Sequence, residues 1–257
     1  MSKLIKFEIK RMKYKKIHII LPLIIISIGL VGIISGNAFN ENLTSKMKMV
    51  NIFQAYTQFS FIFLGFIYIY LFTEDFVKGT EKYISQLGYS LQVQIFFKAF
   101  ILYVYTLVIT LVFIVGYALS INYLDLGYLM LMLCSITAAS LFTIMFSCLM
   151  SIIFKKTLEA TAFQLLFFIL FDVLNIFAFG LTNPCDANSL ATVTIRYISE
   201  IPIAHKSLET INLNFEAFKW VYTITPSIVY SIIIGIVILV LLNGRAGGLK
   251  HVAKYKN

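Results

Sequence analysis

The stretch FTEDFVKGTEKYISQLGYSLQVQIFFK, Phe72–Lys98, decides the fold. Between two long apolar runs it gathers Glu74, Asp75, Lys78, Glu81 and Lys82, beside the pair Gly79-Thr80. What surrounds it is 60% hydrophobic and 13% charged over 257 residues, with a mean hydropathy of +0.88. Soluble domains carry roughly 25% charged residues, about twice as many. The aliphatic and aromatic residues, 24 Phe among them, come in blocks rather than as the periodic stripe of a surface helix. These features point to an integral membrane protein, in which Phe72–Lys98 is a polar connection between two membrane crossings.

Crossing roughly 30 Å of hydrocarbon takes about 20 apolar residues. Six runs are long enough, at about 17–36, 52–73, 97–121, 129–154, 161–181 and 221–243. Hydrocarbon offers no partner to a peptide group, so such runs are helical. The runs do not alternate polar and apolar residues, which argues against a membrane β-barrel. The predicted fold is therefore all-α, with six transmembrane helices over 17–243, a helix over 1–16 and a tail over 244–257.

Lys and Arg in the connections orient the bundle. One side collects 16 of them, seven in the first sixteen residues alone, and the other side five. Both termini are expected in the cytoplasm, and the protein in the plasma membrane. Residues 1–36 have the basic start of a signal peptide, but the apolar run exceeds the usual 7–15 residues and no small-residue cleavage site follows. They read as an uncleaved first crossing. The net charge of +9 is then topological, and no basic, aromatic-interleaved groove for nucleic acid is present.

The first sixteen residues have a pattern of their own. At 100° per residue Leu4, Ile5, Ile9 and Met12 fall together and Lys3, Lys6, Lys10 and Lys13 gather opposite, with Phe7 and Glu8 on the wrong faces. This predicts a basic amphipathic helix in the headgroup layer. A merely solvated basic anchor is the alternative.

Within Phe72–Lys98, Gly79 is expected to break the helix of the second crossing and Thr80 to cap a new one. The segment TEKYISQL spans about two turns; Gly88 is placed to end it, and Ser90 to cap the third crossing. The reading is a short transverse helix whose Glu81, Lys82, Tyr83 and Gln86 suit docking against a protein.

Acidic residues closing one crossing (Glu74, Asp75), then Gly79-Thr80, a helix with Ser85, then Ser90 and Lys98, resemble the transmembrane subunits of ABC-2 type transporters. FKKTLEA at Phe154–Ala160 is similar to a short connection in the same family. In place of the family's frequent Pro-Ser-Arg after the helix, this chain has Gly88-Tyr89-Ser90-Leu91. The resemblance covers essentially the whole chain and implies six crossings, an N-terminal interfacial helix and a coupling helix docked on a separate ATPase. By it Glu74, Asp75, Gly79, Thr80, Glu81, Lys82, Tyr83 and Gln86 are the coupling residues. ATP and Mg would be bound by the partner ATPase and no cofactor by this chain. A second permease subunit, identical or different, would complete the unit. Glu74 and Asp75 would either pair with basic residues of the ATPase or fasten the amphipathic N-terminal helix. Small members of this kind resemble phenol-soluble modulin exporters and lantibiotic-immunity permeases, which implies amphipathic or hydrophobic peptides as substrate. Exporters of drugs, lipids or polysaccharide share the architecture.

No catalytic or metal-binding set is legible. A G-x-x-x-x-G-K-[ST] phosphate loop is absent, and Gly244–Lys250 has the wrong spacing. His18, His205 and His251 are scattered, and Cys134, Cys148 and Cys185 form neither a CxxC nor an even set. An ion-coupled carrier or channel would need ionisable groups inside the crossings. Asp172 is the one candidate, with Asn175 three residues on, either hydrogen-bonding between helices or lining a pathway or subunit interface. The long connection 182–220 is expected to hold a short helix at the outer mouth, with Trp220 and Tyr222 as headgroup anchors.

Overall fold

The computed structural model describes residues 2–39, 44–80, 88–123, 125–177 and 227–244; some side chains inside the helices, those of 171–177 among them, lie outside the description. Among the described residues every regular element is a helix. They are α1 (Ser2–Tyr14), α2 (Ile17–Phe39), α3 (Ser45–Val77), α4 (Leu91–Ser120), α5 (Leu126–Phe154), α6 (Thr157–Phe177) and α7 (Ser227–Gly244). Five of these, α2, α3, α4, α5 and α7, contain a stretch long and apolar enough to cross a membrane. The sixth run lies on α6, which extends over 21 residues, of which Thr157–Leu170 is its described apolar part. The helices overshoot the apolar runs: α3 begins at Ser45 and α4 at Leu91, because polar turns such as Ser45–Asn51 continue the helix beyond the hydrocarbon-length core.

Side chains tie the helices at both ends of the bundle. At the end that carries α1, Gln92 at the start of α4 donates to Asn243 at the end of α7 over 2.5 Å. At the opposite end the Ser45 hydroxyl donates to the Ile121 carbonyl over 3.0 Å. The centre is α5, 78% of whose spanning window is buried, against 28% for α4 and for α7. Between them, α3 packs on α2, α5 and α6.

The dense aromatics of α3 resolve onto definite sides. Phe61 and Tyr68, one heptad apart, are buried, whereas Phe63, Phe66 and Tyr70 face outward. Phe61 stacks on Phe142 of α5 and Phe168 of α6 at 5.9 and 5.8 Å between ring centres. Tyr68 shares a 2.6 Å hydrogen bond with Thr106 of α4.

Several polar groups at membrane depth are paired across helices, which a solvent without hydrogen bonds favours. Pro22 inside α2 cannot donate to the His18 carbonyl, and the Tyr105 hydroxyl of α4 donates to that oxygen instead, at 2.9 Å. Gln164 of α6 accepts from Ser147 of α5 (2.9 Å) and donates to the Phe61 carbonyl of α3 (2.8 Å). Gly65 makes room for it: a Cβ there would collide with the Gln164 amide.

Candidate functional site

Seven ionisable residues from α1, the end of α3 and the start of α4 meet at one end of the bundle. The helical repeat of α1 places Leu4, Glu8, Arg11 and Lys15 within about 60° of one another on the face turned to the protein. Leu4 and Glu8 are 2% exposed there. Lys15 stays in register because its amide still bonds the Arg11 carbonyl (3.0 Å). Lys16, in the left-handed region at φ 57°, then turns the chain into α2.

Asp75 is the hub. Its carboxylate contacts the Arg11 guanidinium and, at 2.6 Å, the Lys98 ammonium. Lys98 is 4% exposed, donates also to the Leu71 carbonyl (2.6 Å) and lies 5.0 Å from the centre of the Phe72 ring. Glu74, one residue earlier and turned toward the start of α2, contacts Lys15 and takes Lys78 at 2.5 Å. Glu8 completes the set 3.8 Å from Arg11. A narrow cleft lined by Glu8, Arg11, Met12, Lys15, Leu71 and Lys98 opens between them, with room for about one water molecule. Burial holds the Arg11 pKa below its usual range, with Glu8 opposing. Burial first, then the like charges of Arg11, Lys98 and Lys78, pushes the Lys15 ammonium down to about 7, and Glu8 opposes the shift. The touching Glu74 carboxylate also favours the charged form.

The connection beyond α3 is framed by two glycines in the left-handed region, Gly79 at φ 64° and Gly88 at φ 83°. Only glycine takes that conformation without a steric cost, so the chain turns sharply on either side of 80–87. Ser90 caps α4, its hydroxyl accepting from the Val93 amide at 3.3 Å. Thr80 itself is helical, and the helix expected to follow it lies outside the described residues.

Of the residues singled out from sequence, Glu74 and Asp75 are brought together with the basic face of α1, while Gly79 and Thr80 lie just beyond. Glu81, Lys82, Tyr83 and Gln86 lie outside the described residues, as do the connection 182–220, Trp220, Tyr222 and the tail after Gly244. Asp172 and Asn175 are on the α6 helix, with side chains outside the description. Fastening of the N-terminal helix by Glu74 and Asp75 was one of two sequence alternatives, but Arg11 and Lys15 were not named as the partners, nor Glu8 as the second contact of Arg11. The signal was present: Glu8 sits on the wrong face only if α1 has two faces, and the spacing 8, 11, 15 is that of a third. Among the described residues no group of His, Cys, Asp or Glu is placed to hold a metal ion. No protein family, no curated protein and no solved structure matches this chain, so its function has to be read from these residues themselves.

Proposed function

We propose that this chain is the membrane-spanning permease subunit of an ATP-driven exporter of ABC-2 type. It would cross the membrane six times with both termini cytoplasmic, and its substrate would be an amphipathic or hydrophobic peptide, exported or expelled from the membrane. A separate ATPase chain would bind and hydrolyse ATP, and a second permease subunit would form the other wall of the pathway. The observation that carries this reading is the ionic clamp around Asp75, which fastens α1 to both helices flanking the segment 80–87. A push on that segment would reach α3 through Glu74 and Asp75, α4 through Lys98 and α1 through Arg11 and Lys15. Such a unit converts a small docked element into a joint movement of two crossings and an interfacial helix. The apolar and aromatic crossings supply a pathway wall suited to apolar side chains and poorly matched to sugars or ions.

Co-purification of the tagged chain from its native membrane, followed by mass spectrometry and an ATPase assay, tests the proposal. A stoichiometric ATPase subunit, lost when Glu81, Tyr83 and Gln86 are changed together to Ala, is the expected result. A stable chain recovered alone, without ATPase activity, would overturn it. The buried Lys98–Asp75 pair within the bundle favours one rival, an ion-coupled carrier with ionisable groups in its crossings. That carrier would transport under an ion gradient with no ATPase present, and Asp172 would join Asp75 as the residue to mutate.

A further inference from the structure

The face of α1 that the clamp leaves outward has a composition of its own. Glu8 is the only acidic residue of α1, and it is turned inward with Arg11. Outward lie Ile5 and Ile9, 37% and 44% exposed, and beside them Lys6, Lys13 and Lys10, all exposed. On the helical repeat these five span an arc of about 140°, the isoleucines at one edge and the lysines across the rest. Lys16, in the turn that follows, adds a fourth exposed ammonium. None of the four lysines forms an ion pair among the described residues, in contrast to Arg11, Lys15, Lys78 and Lys98. The same helix thus spends its carboxylate inward and presents uncompensated positive charge outward.

Position decides what such a face meets. Two residues separate α1 from the apolar stretch that starts at Ile17, and the clamp pins α1 against the ends of α3 and α4. The helix therefore lies at headgroup depth. An isoleucine edge there enters the acyl boundary while adjacent ammonium groups reach phosphate oxygens. We infer that the outward face of α1, through Lys6, Lys10, Lys13 and Lys16 with Ile5 and Ile9, binds the headgroups of anionic phospholipids. The partner is fixed by charge: four cations that form no ion pair among the described residues attract a negative surface, and a zwitterionic headgroup returns most of that attraction as repulsion from its own ammonium group. The inference requires a membrane around the bundle and is independent of the transport reading.

The test places a fluorophore at Ile9→Cys in a full-length chain whose own Cys134, Cys148 and Cys185 are replaced by Ala. The protein is reconstituted in phosphatidylcholine vesicles containing either brominated phosphatidylglycerol or brominated phosphatidylcholine at equal fraction. Quenching is expected to favour the anionic quencher by about fivefold or more, the preference a single surface lysine contributes. It should fall to parity in the variant K6Q/K10Q/K13Q/K16Q, return in K6R/K10R/K13R/K16R, and shrink at about 1 M salt, where screening reaches about 3 Å. Equal quenching by both lipids would overturn the inference, leaving a helix seated through Ile5 and Ile9 alone. Quenching by neither would also overturn it and assign the face to water or to another protein. Should the glutamine variant lose its fold, the salt series on the labelled parent decides by itself.

Discussion

The end of the bundle that carries α1 has two connections, and they use the same residue types to opposite effect. Between α5 and α6, Lys156 meets Glu159 at 2.7 Å, three residues apart and largely in the open. Between α3 and α4, Asp75 meets Lys98 at nearly the same distance, 2.6 Å, but both are buried and 23 residues apart. An exposed pair gains little, because water competes for both charges and two long side chains must be held still. A buried pair is costly to assemble and much costlier to break from one side, because the partner left behind has neither water nor counter-charge. The two distances are nearly equal; burial makes the difference.

Asp75→Ala would break the comparison most severely, since it leaves Lys98 buried without its counter-charge and Arg11 with Glu8 alone. The expected loss is about 3–5 kcal/mol, the range for a buried pair broken from one side. Thermal unfolding in detergent reads it, and an unchanged midpoint would mean the pair is solvated after all. Next comes Gly65→Ala, which leaves the charges alone and pushes a methyl group into the Gln164 amide. Overpacking of this kind costs about 1–3 kcal/mol, so its midpoint should lie between those of Asp75→Ala and the parent. Such a result would separate the clamp from helix packing in general.

A smaller effect is expected from pH. The folded-state pKa of Lys15, about 7, lies below its ordinary value of 10.5. Between those values the unfolded chain binds a proton that the folded chain does not, so stability rises with pH across that window. Below about pH 7 both states carry the proton, and the cost of burying the ammonium is fully present. Lys15→Met should flatten the rise in unfolding midpoint between pH 7 and 10.5. Identical slopes in parent and variant would show that contact with Glu74 keeps the ammonium charged throughout. The smallest effect belongs to Lys156→Gln, which should leave the midpoint and any transport activity unchanged.

The helical class and the approximate location of the five long apolar helices were legible because hydrocarbon-length apolar blocks leave the backbone no alternative to a helix. The glycine breaks at Gly79 and Gly88 and the Ser90 cap were legible because each is a local requirement of the backbone. The clamp was only half legible. Glu74, Asp75 and Lys98 stood out by position, but Arg11 and Lys15 were hidden among seven basic residues of the first sixteen, where topology alone explains a positive charge. The faces of α3 show the same limit: Phe59 to Tyr70 is too rich in aromatics for periodicity to choose an inside. Neighbouring helices chose it, with Phe142 and Phe168 meeting Phe61.

Gln164 carries a consequence for how the bundle can move. Its amide holds the Phe61 carbonyl of α3 and the Ser147 hydroxyl of α5 from a third helix, α6. Sliding any of the three by one turn, about 5.4 Å, would strand these groups in hydrocarbon, and Gly65 leaves no slack for a different seating. The three helices are thereby keyed into one rigid block. Lys98 and Thr106 fasten α4 to the same block through Asp75 and Tyr68 of α3, so relative motion, whatever drives it, is displaced to the boundaries with α2 and α7.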